Sequence, residues 1–251
     1  MTYNIVIING SPRGQKSTIR AIFDSVTTGL KAHVNIETHY IDLIDYRVSF
    51  CKGCLNCFET GSCPLDSQDD MLSIKKMILA ADVALIGTPI YAGNVTAQMK
   101  LLLDRLAYWM HLMCLCGKPT AFVTSSCGNG VNYVKTYLTS ILRFLGGREI
   151  SFQNYIVFSS DDWKAAENVS KMNELIADIL GVFNDPMRIG EKERKDLEYV
   201  FHAMQRNIRI YEDEPNFEYH FWKKHGFFEY SSYMDVILES KQILSSIEKE
   251  M

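Results

Sequence analysis

The chain has no excess of positive charge: 26 lysines and arginines stand against 30 aspartates and glutamates, a formal net charge of -4. That balance leaves no electrostatic footprint for nucleic acid or for an anionic membrane surface, and neither is expected as a partner. A long hydrophobic run is also missing. The amino-terminal apolar stretch, Ile5 to Ile8, is far too short for a bilayer span, and no basic segment precedes it as in a secretory signal. No internal repeat, low-complexity segment or flexible linker interrupts the chain. With 47% hydrophobic and 22% charged residues in 251, the sequence reads as a folded cytoplasmic protein able to bury a substantial core. In a reducing compartment its seven cysteines are expected as ligands, redox thiols or core residues rather than structural disulfides.

What is present is an alternation of short apolar runs with longer amphipathic ones. Tyr3 to Asn9 predicts a buried strand, and Lys16 to Lys31 repeats Ile19, Ile22, Phe23, Val26 and Leu30 at helical spacing. Strands at Val34 to Leu43 and Asp82 to Thr88 flank a helix at Asp69 to Ala81. The pattern then predicts one long helix from Asn94 to Met113, a strand at Thr120 to Ser125 and a helix from Val131 to Leu145. A strand at Ile150 to Phe158 and a helix from Trp163 to Phe183 complete the alternation. This order implies an α/β fold, a doubly wound five-stranded parallel sheet covered on both faces. Ligands of such sheets bind outside the carboxyl ends of the strands, where the strand order reverses, so function is sought in the loops that follow strands. The alternation stops near residue 186. Residues 1–185 are expected to form one domain, and 186–251 a helical C-terminal extension packing on it or on a partner subunit.

The loop after the first strand, NGSPRGQKST, almost spells a triphosphate loop. Three residues rather than four separate Gly10 from Gly14, however, and Gln15 stands between Gly14 and Lys16. What survives is a hydroxyl-rich, cationic turn opening a helix, where Ser11, Ser17, Thr18 and free backbone amides favour a phosphate and Arg13 can clamp it. A capped helix with solvated charges explains the same residues. After the third strand, Pro89 and Ile90 lead into Tyr91, an aromatic face for a planar ring, with Gly93 allowing close approach and Asn94 as candidate N-cap. After the fourth, Ser125, Ser126, Cys127 and Gly128 offer small side chains and backbone donors. Together the three loops suit a mononucleotide with a flat, largely apolar ring, and FMN fits best.

With SPRG and ST in the first loop, then TPIYAGNVTAQMKLLLDR and TSSCG, the sequence resembles the flavodoxin-like NAD(P)H-dependent FMN reductases over about residues 3 to 180. The cysteine stretch CKGCLNCFETGSC with QDDM at Gln68 to Met71 resembles the branch containing the iron-sulfur flavoproteins. The resemblance implies FMN with its phosphate near Ser11, Arg13, Ser17 and Thr18, and its ring along Pro89 to Asn94 and Ser125 to Gly128. It also implies NAD(P)H as co-substrate, and a homodimer or homotetramer whose site borders a neighbouring subunit. Relatives often carry Ser-Asn-Thr where this chain has Lys16-Ser17-Thr18. The activity so implied is an FMN-dependent oxidoreductase that passes electrons to a small acceptor such as a quinone, nitroaromatic or flavin. No side-chain acid or base is nominated, because the chemistry belongs to the flavin.

Cys51, Cys54, Cys57 and Cys63 follow C-x2-C-x2-C-x5-C spacing, compact enough to wrap a [4Fe-4S] cluster beside the flavin. Zinc more often uses separated pairs. The same loop can equally form a wall of the site with no metal. With a cluster, the chain becomes an electron-transfer protein serving a ferredoxin-like partner; a non-enzymatic flavin binder is the third alternative. His111, Cys114 and Cys116 are expected as core or helix-end residues. His220 and His225, five apart, do not share a helix face as metal-binding pairs do.

Overall fold

The computed structural model describes residues 2–159 and 161–250. Five strands, β1 (Thr2–Asn9), β2 (Asn35–Asp42), β3 (Val83–Pro89), β4 (Pro119–Ser126) and β5 (Arg148–Ile156), form one parallel sheet in the order β2-β1-β3-β4-β5. The order reverses between β1 and β3. Helices α1 (Thr18–Lys31), α2 (Asn56–Thr60), α3 (Met71–Ala80), α4 (Ala97–Arg105), α5 (Ala107–Leu112) and α6 (Val131–Phe144) occupy the connections, and α7 (Ala166–Asn184) follows β5. The sheet is the expected doubly wound, flavodoxin-like one.

Successive strand residues face opposite sides, so the apolar run of β1 serves two cores. Ile5 and Ile7 pack with Ile22, Phe23 and Val26 of α1 and with Leu175 and Ile179 of α7. Val6 and Ile8 face the other side, where α3 to α6 lie. There the core does not end with the sheet's own helices. Three more, α8 (Glu191–Arg209), α9 (Phe217–Lys224) and α10 (Tyr233–Glu250), add Leu197, Phe201, Trp222, Tyr233 and Val236 to the same buried cluster. Trp222 Nε1 donates to His111 O at 2.8 Å, and the Tyr233 hydroxyl accepts from Gly117 N at 2.9 Å. Cys114 and Cys116 lie in this core, at 1% and 0% exposure, as their apolar setting predicts. None of the described helices is long and apolar enough to cross a membrane.

The expected single helix from Asn94 to Met113 is two helices. It begins at Ala97 because the Thr96 hydroxyl, not Asn94, accepts from Met99 N. It breaks at Leu106, whose amide is shared between the carbonyls of Leu102 and Leu103. The break coincides with Arg105, turned inward at 2% exposure into an ionic cluster described below. The expected start of the first helix at Lys16 also moves, because Ser17 caps α1 through Arg20 N at 3.1 Å and a 3-10 turn fills Gly14–Lys16.

Candidate functional site

At the carboxyl edge, Gly10 N donates to Gly87 O at 2.7 Å, joining the ends of β1 and β3 where the order reverses. The loop that follows is organised by Asn9, fully buried. Its Nδ2 reaches Gly14 O at 3.0 Å, Ser17 Oγ at 3.1 Å and Asp42 Oδ1 at 2.7 Å, while its Oδ1 accepts from Ser11 N at 3.0 Å. Asp42, at the end of β2, is in turn paired with Arg20 of α1 at 2.5 Å. Both Ser11 and Ser17 therefore have their oxygens engaged as acceptors, by Arg13 N and Arg20 N, while their hydroxyl protons are left to donate outward. Thr18 and Ile19, in the first turn of α1, present amides without intrahelical partners. This is a donor-rich cup at the positive end of a helix dipole.

The turn after β3 closes on itself: Tyr91 N donates to Asn94 O and Asn94 N to Tyr91 O, both at 3.0 Å. Its central residues, Ala92 and Gly93, have φ of 51° and 75°. The left-handed geometry is easy for Gly93 and strained for Ala92. Thr96 ties the turn to the first loop by donating to Gly10 O at 2.5 Å. The loop after β4 lies against it. At Gly130 a Cβ would stand 2.9 Å from Gly93 Cα, so only glycine lets these two loops meet.

These loops surround one cleft of about 160 Å³. Ser11, Arg13, Ser17 and Thr18 line one side, and Pro89, Ile90, Tyr91, Ser125, Ser126 and Cys127 the other, joined by Ile19 and Val157. Of the thirteen residues expected at the site from sequence, Gly93, Asn94 and Gly128 do not line it. The Gly128 amide, expected as a free donor, is taken by Ser126 Oγ at 3.2 Å.

The cysteine loop follows β2 onto the same edge, as expected, but its thiols are not gathered. Among the described residues no group of three or more His, Cys, Asp or Glu is arranged to hold a metal ion. Cys51 and Cys54 are exposed, whereas Cys57 and Cys63 are half-buried. The short helix α2, unforeseen from sequence, carries Cys57 against the core. Burial, and then the charges of Cys63, Cys51 and Cys54, push the Cys57 thiol up. The residues as placed do not fit a [4Fe-4S] cluster.

Beneath the loop lies the ionic cluster that turns Arg105 inward. Arg105 reaches Asp69 Oδ2 at 2.6 Å, Asp66 Oδ1 at 2.6 Å and Ser49 O at 2.9 Å. Lys75, fully buried, reaches Asp66 Oδ2 at 2.5 Å and the Tyr108 hydroxyl at 3.1 Å. Two cations and two carboxylates balance, which offsets the cost of burying them. Asp69 also accepts from Ser49 N and Met71 N, and Asp70 from Arg47 N, so QDDM is the clasp that closes the cysteine loop at its base. Asn9, Thr96, Asp42, Lys75 and Arg105 were not singled out from sequence. A polar residue closing the apolar run of β1 was the one available signal, and it pointed to Asn9.

Residues 3–161 match the NADPH-dependent FMN reductase family. An iron-sulfur flavoprotein of Archaeoglobus fulgidus is 27% identical over 222 residues, 88% of this chain and 97% of that protein. One from Methanocaldococcus jannaschii is 38% identical over 101 residues, 40% of this chain and only 50% of that protein's length. Among solved structures, an NADH:FMN oxidoreductase in its apo form superposes with a TM-score of 0.53 at 21% identity, covering 70% of this chain and 87% of that one.

Proposed function

This chain belongs to the NADPH-dependent FMN reductase family and is an oxidoreductase, and we propose that it uses FMN to pass electrons from NAD(P)H to a small acceptor such as a quinone, nitroaromatic or flavin. The observation that carries this reading is the convergence of the three strand-end loops on one cleft at the reversal of strand order. The hydroxyls of Ser11, Ser17 and Thr18, with the first-turn amides of Thr18 and Ile19, hold the phosphate, and Arg13 covers it. Pro89 to Tyr91 and Ser125 to Cys127 receive the ring, with Tyr91 flanking it. When bound, FMN supplies hydride acceptance and electron return. The protein positions it and keeps water from the reacting face.

A cleft of about 160 Å³ encloses only part of a mononucleotide. Phe50, Leu55, Tyr133 and Phe158 stand exposed in or beside loops at the same carboxyl edge. A neighbouring copy in a homodimer or homotetramer would cover both. FMN titration, followed by NADH and NADPH oxidation with each acceptor class in FMN-saturated protein, tests the reading. Absence of turnover with every acceptor would leave a flavin binder without catalysis, and absence of FMN binding would overturn the site itself.

A second reading, electron transfer through a [4Fe-4S] cluster on Cys51, Cys54, Cys57 and Cys63 to a ferredoxin-like partner, is favoured by the names of the relatives. That no group of three or more ligands among the described residues is arranged to hold a metal ion weighs against it. Iron and sulfide analysis after anaerobic reconstitution decides between the two.

A further inference from the structure

A cavity of about 690 Å³ lies at the opposite end of the sheet from the proposed FMN cleft. Its floor is the row of strand starts, including Tyr3, Val83, Pro119 and Arg148, and its roof is α10. The family match ends at residue 161, so the roof is built entirely by the C-terminal extension. A volume of this size lies within the usual range for small-molecule sites, about 300–1,000 Å³.

Two cations line this cavity from within the protein: Lys118 is 2% exposed and Arg148 3%. They are adjacent, since Arg148 N donates to Lys118 O at 3.0 Å across the starts of β4 and β5. Neither has a carboxylate within 4.0 Å among the described residues. Lys118 Nζ donates to the carbonyls of Leu79 and Ala81, at the end of α3. Arg148 donates to those of Gly117, Pro186 and Arg188. A packing role in which both cations merely satisfy carbonyls accounts for these bonds but not for the charge. The carboxyl-terminal ends of α3 and α7 each contribute only about half a negative charge. Asp82 is already held by Asn4 N at 2.9 Å and by Lys241 at 3.2 Å. Glu248 sits on the α10 side of the lining, and Asp185 approaches Arg148 from the end of α7, its Oδ1 taken by Met187 N. Buried charges without a paired counter-charge are costly unless an ion of opposite sign completes them, and both side chains retain unused N–H donors.

We propose that this cavity binds an amphipathic monocarboxylate, its head group on Lys118 and Arg148 and its apolar body along Val83, Phe183, Ile237 and Leu244. The occupant is anionic at its head and apolar along the rest, matching the buried cations and the apolar side chains of the lining. Burial pushes the Lys118 ammonium down to about 8 and the Arg148 guanidinium down to about 10, the strain that a bound anion would relieve. The site is independent of the reading of the carboxyl edge, because no residue is shared between the two.

The test is calorimetric titration of the full-length, FMN-saturated protein with dodecanoate, 1-dodecanol and dodecyltrimethylammonium, each below its micellar concentration. Dodecanoate is expected to bind saturably at one site, at least about tenfold more tightly than the other two. Ser245→Trp, at an exposed position on the rim, is expected to weaken that binding by about tenfold or more while leaving FMN affinity unchanged. Lys118→Met should remove the preference for dodecanoate over dodecanol; because this variant also frees two carbonyls, the Ser245 variant is the one that does not depend on folding. Equal affinity for the three amphiphiles would overturn the proposal. So would dodecanoate binding unaffected by Ser245→Trp, or no dodecanoate binding at all.

Discussion

Asn9→Ala tests whether the phosphate cup is built before any ligand arrives. The Asn9 side chain is fully buried, and its Nδ2 has two hydrogens to share among acceptors at 2.7, 3.0 and 3.1 Å. Truncation leaves Asp42 with Arg20 and Ser17 Oγ with Arg20 N, so neither becomes an orphan. Gly14 O keeps its bond from Ser17 N at 3.0 Å, whereas Ser11 N loses its partner, and a buried unsatisfied group costs about 1–3 kcal/mol. Water entering from the cleft recovers part of that. If about 2 kcal/mol remains to be regained when the loop is reordered around a phosphate, FMN affinity falls about 30-fold. The assay is quenching of flavin fluorescence on titration, run in parallel with riboflavin. Riboflavin has the ring but no phosphate, so its affinity should hardly change and the preference of the protein for FMN over riboflavin should collapse. Asn9→Asp should be worse, because a carboxylate oxygen would replace the amide that now faces Asp42 Oδ1 at 2.7 Å. An Asn9→Ala protein that loses thermal stability but keeps its FMN affinity within about twofold, a difference under 0.5 kcal/mol, would refute the reasoning and assign Asn9 to the fold alone.

Other perturbations follow from the same geometry. Thr96→Val removes both the cap of α4 and the bond to Gly10 O, and should lower stability by about 1–2 kcal/mol in urea unfolding, whereas Thr96→Ser should remain near wild type; a fully stable Val variant would remove Thr96 from the scaffold. Ala92 pays for a φ of 51°, so Ala92→Asn should gain about 0.5–1 kcal/mol by the same measurement, and a loss would show that the methyl group is packed rather than strained. Burial pushes the Asp69 carboxyl up, but hydrogen bonds from Arg105, Ser49 and Met71 outweigh it and hold the group below its ordinary value. A depressed folded value means that the contribution of Asp69 is complete above the unfolded value, near pH 4, and is lost as the pH falls through the folded one. Asp69→Asn should therefore flatten the fall in stability below about pH 4, and an unchanged slope would show that the Arg105 pairing adds nothing.

The sheet was legible because its signal is local. Ile5 to Ile8 and Val83 to Ile86 are apolar on consecutive positions, as only strands covered on both faces are, and the intervening 3.6-residue periodicity forces parallel crossovers. Strand order and the edge that carries the site then follow from chirality and topology rather than from any particular residue. The loops that line the cleft were legible for the same reason: each comes directly after a strand. Asn9, Thr96 and Arg105 were not, because what distinguishes them is a partner distant in sequence: Asp42 at the end of β2, Gly10 after β1, and Asp66 with Asp69 beyond the cysteines. The break at Leu106 was hidden likewise, since apolar periodicity runs through it and only the burial of Arg105 distinguishes the two halves.

The cysteine spacing carries a different lesson, because spacing belongs to the chain and convergence to the fold. Gly53, Leu55 and Gly61 all adopt left-handed φ, of 61°, 62° and 74°, so the loop reverses repeatedly. Those reversals leave Cys51 and Cys54 exposed while α2 turns Cys57 toward the core. The base is held far more firmly than the tip. Arg47, Ser49, Asp66, Asp69 and Asp70 are joined through Arg105 and the QDDM clasp, whereas among the described residues the one hydrogen bond to a backbone amide of residues 50–54 is the weak contact of Gly53 N with Cys51 Sγ at 3.5 Å. Local opening free energy follows the density of such bonds and of buried contacts. Hydrogen exchange should therefore be fast across residues 50–54 and slow at Ser49 and Met71, whose amides donate to Asp69. Any gathering of the thiols would be confined to the segment between those anchors, and equal protection on both sides of Ser49 would show that the clasp does not set this boundary.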